Sequence, residues 1–495
     1  MRQKVNDFHW CWARSGEGQL CRVFLAEDTP CHVLLELTPK SPLVKIDSNC
    51  CAILPVFGTM LPIWTISLLL FTSTFAMDNL RVAYQWKELD FDFPSASARE
   101  EAIKSGKFIP ENNLPLGLEV YKDRLFITVP RWRSGVAASL NYIKLSDPMD
   151  SPKLKPYPNW EAHKSHSGDP PEIVSPFRVR ADHCGRLWVL DTGIEDFTNP
   201  KTHKPVTLLI YDLHNDNLMR SFKIPKGQVK SESFLANIAV EDHNCADTYA
   251  YLGDLGDPPG IIVYSWKKGE SWRVEHNYFS IDPLMGEFNV SGITFVWNDG
   301  LFGMALSKPD HDGFSTLYFH PMSSTNEFSV STKYLREDSS KEHFHEFKLL
   351  GTRGPKGQSG VSFLDQKTDV LFYSLLNLNA VACWRTTNPA YTMESQGRVY
   401  MNNVTMIFPN DIKVDNDDNL WVLSDRLPMF LYSHLDKNDV NFRVLTAPVA
   451  DAIRGTACDS KLVTRIKSND LKNGGLRKSA VGGVVLVMFV AIMNL

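Results

Sequence analysis

The stretch Phe408-Pro-Asn-Asp-Ile-Lys-Val-Asp-Asn-Asp-Asp-Asn-Leu-Trp-Val-Leu-Ser-Asp425 reads as two short strands joined by a turn. Ile412 and Val414 alternate with Asp411 and Lys413, the period of two that a half-buried strand requires. Asp415-Asn-Asp-Asp-Asn419 supplies the turn, and LWVLSD (420–425) the second strand. MFLYSHL (429–435) and NFRVLT (441–446) are predicted as the third and fourth strands. Working back along the chain, the second strand recurs as RLFITV (124–129), RLWVLD (186–191), YAYLGD (249–254), LFGMAL (301–306) and LFYSLL (371–376). These segments return roughly every 60 residues, a repeat that marks a modular fold. The unit around RLWVLD shows all four strands: FRVRAD, RLWVLD, LLIYDL and MRSFKI. Four short antiparallel strands per repeat, separated by Gly, Asn and Asp turns, describe a propeller blade. Six repeats across residues 80–460 predict an all-β chain, a six-bladed β-propeller with four-stranded blades.

The first strands sharpen the expectation. GLEV (117–120), RVRA (178–181), NIAV (237–240), GITF (292–295), GVSF (360–363) and DIKV (411–414) align with apolar residues at their second and fourth positions. Their first and third positions are small or polar, including Glu119, Arg178, Arg180, Asn237, Asp411 and Lys413. One set fits between neighbouring sheets and the other faces a central channel.

Composition agrees with a folded globular chain: 43% hydrophobic, 22% charged, 11% aromatic over 495 residues. The net charge of −5 gives no basic field for nucleic acid.

The ends carry processing signals. Met60 opens MLPIWTISLLLFTSTFA, with an apolar run from Leu61 to Phe71 and small residues Thr74 and Ala76 before a cleavage point. This is the pattern of a signal peptide over 60–76, too short for a membrane span. Residues 1–59, with Cys11, Cys21, Cys31, Cys50 and Cys51, are read as an upstream extension without a fold of its own. At the other end, Asn473-Gly-Gly475, a spacer to Gly483 and the apolar Val484–Leu495 resemble the attachment signal of a GPI membrane tether within the 461–495 tail. The propeller domain is thus expected over 77–460. A secreted chain meets an oxidising compartment, and the domain keeps Cys184, Cys245, Cys383 and Cys458. Cys184 and Cys245 occupy the same turn of adjacent repeats and are expected to pair, leaving Cys383 with Cys458, one of three connectivities. Asn289-Val-Ser291 and Asn403-Val-Thr405 are glycosylation sequons.

In a blade, the loop before the first strand and the loop after the second share one face. That face collects Phe177, Asn237, Phe408, Asn410 and Asp411 from the first loops, and Arg131, Trp132, Asp191, Asp254 and Asp425 from the second. Aromatic walls with carboxylates and amides suit a small cationic or catechol-like ligand. Singly, Asp191, Asp254 and Asp425 also read as turn caps. Glu119, Asn237 and Asp411 sit where some six-bladed lactonases hold Ca²⁺, but Arg178, Arg180 and Lys413 share those rings and oppose a cation. No metal and no cofactor is therefore expected. The Asp415–Asn419 acidic turn lacks the Gly and Glu of an EF-hand and is read as a hairpin. Gly351, Gly354, Gly357 and Gly360, with Arg353 and Lys356, read as a flexible loop entering blade five.

Five ordered stretches carry a resemblance: AYQWKELDF, NNLPLGLEVYKDRLFITVPRWRSGVAASLNYI, HCGRLWVLDTG, LFYSLLNLNAVACW and FPNDIKVDNDDNLWVLSDRLP. Across roughly 80–460 the chain resembles the insect yellow / major royal jelly protein family. The resemblance implies a secreted, often glycosylated six-bladed propeller, with roles that include cuticle melanin patterning, dopachrome conversion and binding of biogenic amines. The amine-binding members imply Phe408, Asn410, Asp425 and Leu427 as ligand residues. Asp425 stands where related chains often have Asn, and Leu427 at a position that can be aromatic. A small aromatic amine or catechol is the expected partner, and dopachrome tautomerisation the alternative activity.

Overall fold

The turns are built by aspartate side chains. In the computed structural model, Asp415 accepts hydrogen bonds from the backbone N–H of Asp417 (2.9 Å) and Asn419 (2.8 Å) and from the Trp421 indole (2.7 Å). Asp182 repeats the arrangement in the second blade, taking the Arg186 N–H at 2.8 Å and the Trp188 indole at 2.7 Å. An Asp ending the first strand and a Trp six residues later thus lock the hairpin from both sides. The acidic 415–419 turn is a hairpin, as expected.

The structure describes residues 79–460, except 166–167 and 338–339, together with four short strands nearer the start of the chain. The chain divides into two units, Met1–Thr74 and Phe75–Leu495. In the first, Phe8–Arg14 pairs antiparallel with Leu20–Ala26, and Val33–Leu34 with Lys45–Ile46, where no fold was anticipated. The expected signal peptide and C-terminal tail lie outside the described residues. Among the described residues, no helix is long and apolar enough to cross a membrane.

The second unit holds six four-stranded antiparallel sheets in sequence order. Their innermost strands are Gly117–Tyr121, Pro176–Ala181, Leu235–Glu241, Leu301–Leu306, Ser362–Asp365 and Phe408–Val414. Each of these strands packs against the next, and the sixth returns to the first, closing a six-bladed propeller. Apolar clusters fill the spaces between blades: Val179, Leu187 and Val189 pack with Phe126 and Tyr157, while Ile412, Val414 and Val422 pack with Val361 and Phe372. Along the axis, Glu119 pairs with Arg180 at 2.9 Å, and Asp411 with Lys413 at 2.6 Å. Acid and base therefore neutralise each other in the ring.

Two blades differ from the sequence reading. In the sixth, the segment read as the fourth strand falls in the third from Phe442 on, Phe442–Pro448, and the fourth is Arg81–Trp86, brought from the other end of the domain. Trp86 opposes Phe442 in this pairing, is fully buried, and donates its indole N–H to the Pro152 carbonyl at 2.8 Å. The segment read as the third strand instead contributes a helix, Leu427–Tyr432, with Pro428 in its first turn, where a missing N–H costs nothing. In the fourth blade, LFGMAL is the innermost strand, not the second. The segment taken as innermost belongs to an added hairpin, Glu287–Val290 with Ile293–Val296. Its alternation matches a blade strand because one face packs Phe288 against Phe295, with ring centroids 5.4 Å apart.

The disulfides are Cys184–Cys245 and Cys383–Cys458, as expected. They span 61 and 75 residues, each removing roughly 4 kcal/mol of unfolded-chain freedom in the loop-entropy account. The glycine-rich stretch before blade five is not loose. Arg353 is buried there and donates to the Gly357 carbonyl (2.7 Å), the Ser324 carbonyl (2.9 Å) and Glu327 (2.5 Å). Asn289 and Asn403 are both exposed, as a glycan attachment point must be.

Candidate functional site

A cavity of about 450 Å³ opens on the face that collects the loops before the first strands. Its wall is mainly aromatic. Trp132, from the loop after the second strand of blade one, stacks on Phe197 with centroids 5.0 Å apart and planes 29° apart. Phe177 meets Phe234 and Phe302 edge-on, at 5.6 and 5.9 Å. Trp297 meets Phe408 edge-on at 6.1 Å and donates its indole N–H to the Tyr432 hydroxyl at 2.5 Å. The added hairpin of blade four leads into Trp297 and leans on the helix of blade six, where Phe295 stacks on Tyr432 at 5.3 Å.

Beneath the aromatic wall lies a polar floor. Arg178 is wholly buried and its guanidinium lies over the Phe177 ring at 4.6 Å. It donates to the Leu116 carbonyl, to the Asn410 carbonyl (2.6 Å) and to Asn410 Oδ1 (2.8 Å), and stands 3.6 Å from Asp411. Asn410 Nδ2 in turn donates to Asp425 at 2.7 Å. Asp425 also accepts the Leu427 N–H at 2.9 Å. Burial pushes its carboxyl up to about 7, against the pull of Asn410, the Leu427 amide and Arg178.

Of the sequence candidates, Phe177, Phe408, Asn410 and Leu427 line the cavity. Asp411 and Asp425 stand behind the wall, engaged with Arg178 and Asn410. Asn237 is not in this cavity. Its amide donates to the Phe302 carbonyl at 2.6 Å, and the residue borders a narrower space of about 110 Å³ with Arg180, His183 and Lys413. Asp191 and Asp254 cap turns: each accepts the backbone N–H two residues on, at 3.1 and 3.2 Å, as Asp425 does from Leu427. Arg131 donates to the His163 carbonyl at 2.9 Å.

Sequence reasoning missed Asp299. It lines the cavity half-buried, and among the described residues its carboxylate makes neither a hydrogen bond nor an ion pair. Its backbone N–H and carbonyl are both taken by Ser323, at 3.2 and 3.0 Å. Burial alone pushes the carboxyl up to about 6. The misplaced first strand of blade four hid it. With LFGMAL innermost, Trp297-Asn-Asp299 becomes part of the loop that leads into that strand on the cavity face.

The family model described as Major royal jelly protein matches residues 174–458. Protein yellow of Drosophila erecta is 44% identical over 398 residues, covering 79% of this chain and 72% of that one. Protein yellow of Drosophila melanogaster is 43% identical over 398 residues with the same coverage, and that of Drosophila subobscura 43% over 415 residues, covering 82% and 71%. Among solved structures, a luciferin-regenerating enzyme is similar at a TM-score of 0.41 and 12% identity, covering 70% of this chain and 92% of that one, a likeness too remote to bear on the site.

Proposed function

The chain belongs to the major royal jelly protein family, and from that premise we propose that it is a secreted binding module holding a small aromatic amine or catechol in the mouth cavity, in the service of cuticle or eggshell pigmentation. The observation that carries this reading is the cavity wall. Seven aromatic side chains, from Trp132 to Phe408, surround a space of about 450 Å³, a fit for one ring with a short side chain. Aromatic faces attract a cation, and an unpaired carboxylate stands among them. The two disulfides support an extracellular location. A GPI tether would be tested by release of the chain from cells with phospholipase C.

Calorimetric titration with dopamine and serotonin tests the binding reading. Saturable heat with an affinity that Trp132→Ala and Phe408→Ala each weaken about tenfold is the expected result; no heat from either ligand overturns it.

A second reading is dopachrome conversion, which moves a proton from carbon and returns one elsewhere. It needs an acid/base group near neutral pKa touching the ligand. Asp299, at about 6 and on the wall, is the observation favouring it. Asp425, at about 7, is sealed behind Asn410. Following dopachrome absorbance with the same preparation separates the two: turnover lost in Asp299→Asn makes the protein an enzyme, and saturable heat without turnover makes it a carrier.

A further inference from the structure

The cavity has an electrostatic character that its aromatic lining obscures. The ionisable side chains on its wall are Glu232 and Asp299, both acidic, and no Lys, Arg or His joins them. The buried cation Arg178 lies beneath the Phe177 ring, with its two terminal nitrogens donating to Leu116 and Asn410 and its charge balanced by Asp411. Asp299, by contrast, has no partner for its carboxylate, and no neighbouring charge acts on it. A half-buried carboxylate in an apolar wall projects its field into the cavity. The surrounding ring faces carry negative potential of the same sign.

Resting on the ligand reading above, we infer that this cavity discriminates by charge: it admits an aromatic ring bearing an ammonium group and rejects the same ring when a carboxylate accompanies it, with Asp299 making the difference. An ammonium gains both the charge-assisted hydrogen bond to Asp299 and the ring faces. An amino acid with the same ring brings its own carboxylate against two acids and several aromatic faces, with no cationic side chain on the wall to receive it. The ligand is therefore one supplied by decarboxylation of an aromatic amino acid, in which the carboxylate leaves as CO₂ and a proton takes its place on the same carbon. The wall equally opposes the carboxylate-bearing form of dopachrome.

The test is calorimetry on the purified full chain at pH 7.5 with three probes: dopamine, L-dopa (the same ring and amine with a carboxylate) and 4-methylcatechol (the same ring, uncharged). Dopamine is expected to bind at least about tenfold more tightly than L-dopa, the scale of one charge-assisted contact. Asp299→Asn is expected to weaken dopamine about tenfold, bring the two amines within about threefold of each other, and leave 4-methylcatechol unchanged. L-dopa binding as tightly as dopamine, with 4-methylcatechol also bound, overturns the discrimination and leaves the cavity as a ligand site. An unchanged dopamine to L-dopa ratio in a folded Asp299→Asn protein removes Asp299 from the role. Failure of all three probes to bind the wild-type chain overturns the ligand reading and this inference together. The wild-type ratio decides the matter even if the variant does not fold.

Discussion

Asn410 donates its side-chain N–H to Asp425 at 2.7 Å, while its Oδ1 accepts from Arg178 at 2.8 Å. The amide at the cavity floor is thus clamped between an acid and a base, and its orientation is set before any ligand arrives. Asp425 acts here as a positioning residue: it holds Asn410 and the start of the 427–432 helix, and stays out of the cavity.

That role has a pH signature. The folded Asp425 carboxyl is raised to about 7, above its unfolded value of 3.8, so between these values the folded chain binds the extra proton and stability falls as pH rises. Asp425→Asn removes this penalty. Its melting temperature relative to wild type is expected to rise between pH 4.5 and 8, with a stability difference of at most about 4 kcal/mol for a shift of this size. A difference that stays flat with pH would contradict it. Asp425→Ala, which strands the Asn410 and Leu427 donors, is expected to cost roughly 1–3 kcal/mol.

Binding of dopamine should follow the ionisation of Asp299. With the carboxyl raised to about 6, affinity is expected to increase from pH 5 to 7 and then level off while the amine stays protonated. The other groups near the site are Glu232 on the wall, Asp425 behind Asn410 and the buried Arg178. Asp299→Asn should abolish the part of the profile centred near pH 6, read by titration at stepped pH.

Trp132 contributes wall rather than core. Its stack with Phe197 is open to solvent, Phe197 being 50% exposed. Trp132→Ala should lower affinity for any aromatic ligand about tenfold, with little loss of melting temperature. A large thermal shift would make it structural.

His183 and Asp242 form a pair with opposite limits. The Asp242 hydrogen bond raises the His183 pKa, so that part of the stabilisation is present below pH 6.5 and lost as pH rises through the folded value. Despite burial, the hydrogen bonds from His183 depress Asp242 to about 2, so its part is present above 3.8 and lost as pH falls toward 2. Between about pH 4 and 6.5, His183→Gln should destabilise most, by under about 1 kcal/mol because the imidazole is largely exposed. Denaturant titrations at pH 5.5 and 8.5 should differ in that direction.

Much of this was legible because a repeat exposes its own errors. Trp188 and Trp421 mark equivalent strands, and the Asp six residues before each confirms the alignment through a hydrogen bond that one blade predicts for the other. Equivalent turns likewise gave the Cys184–Cys245 pair. Failures came where the chain leaves the repeat. The Ile293–Val296 segment alternates like a blade strand because it too has one covered face, and period alone does not say what covers it. Arg81–Trp86 lies some 360 residues from its partner strand, beyond any local pattern. At the site, Phe177, Phe408 and Asn410 were reachable from their loops and Leu427 only through the family resemblance, whereas Asp299 depended on the register of blade four. Asp425 was placed correctly on its strand, but no pattern tells whether a buried acid faces a cavity or an amide.

The strand that completes blade six also sets a schedule for synthesis. Arg81–Trp86 leaves the ribosome before any blade exists, and its partner Phe442–Pro448 follows only after the other five blades have been made. At roughly 5–20 residues per second, it waits on the order of 20–70 seconds with its edge unpaired. For that interval the nascent ring is an open arc with a sticky end at each side, and the cell's chaperones meet a different molecule from the closed ring that follows.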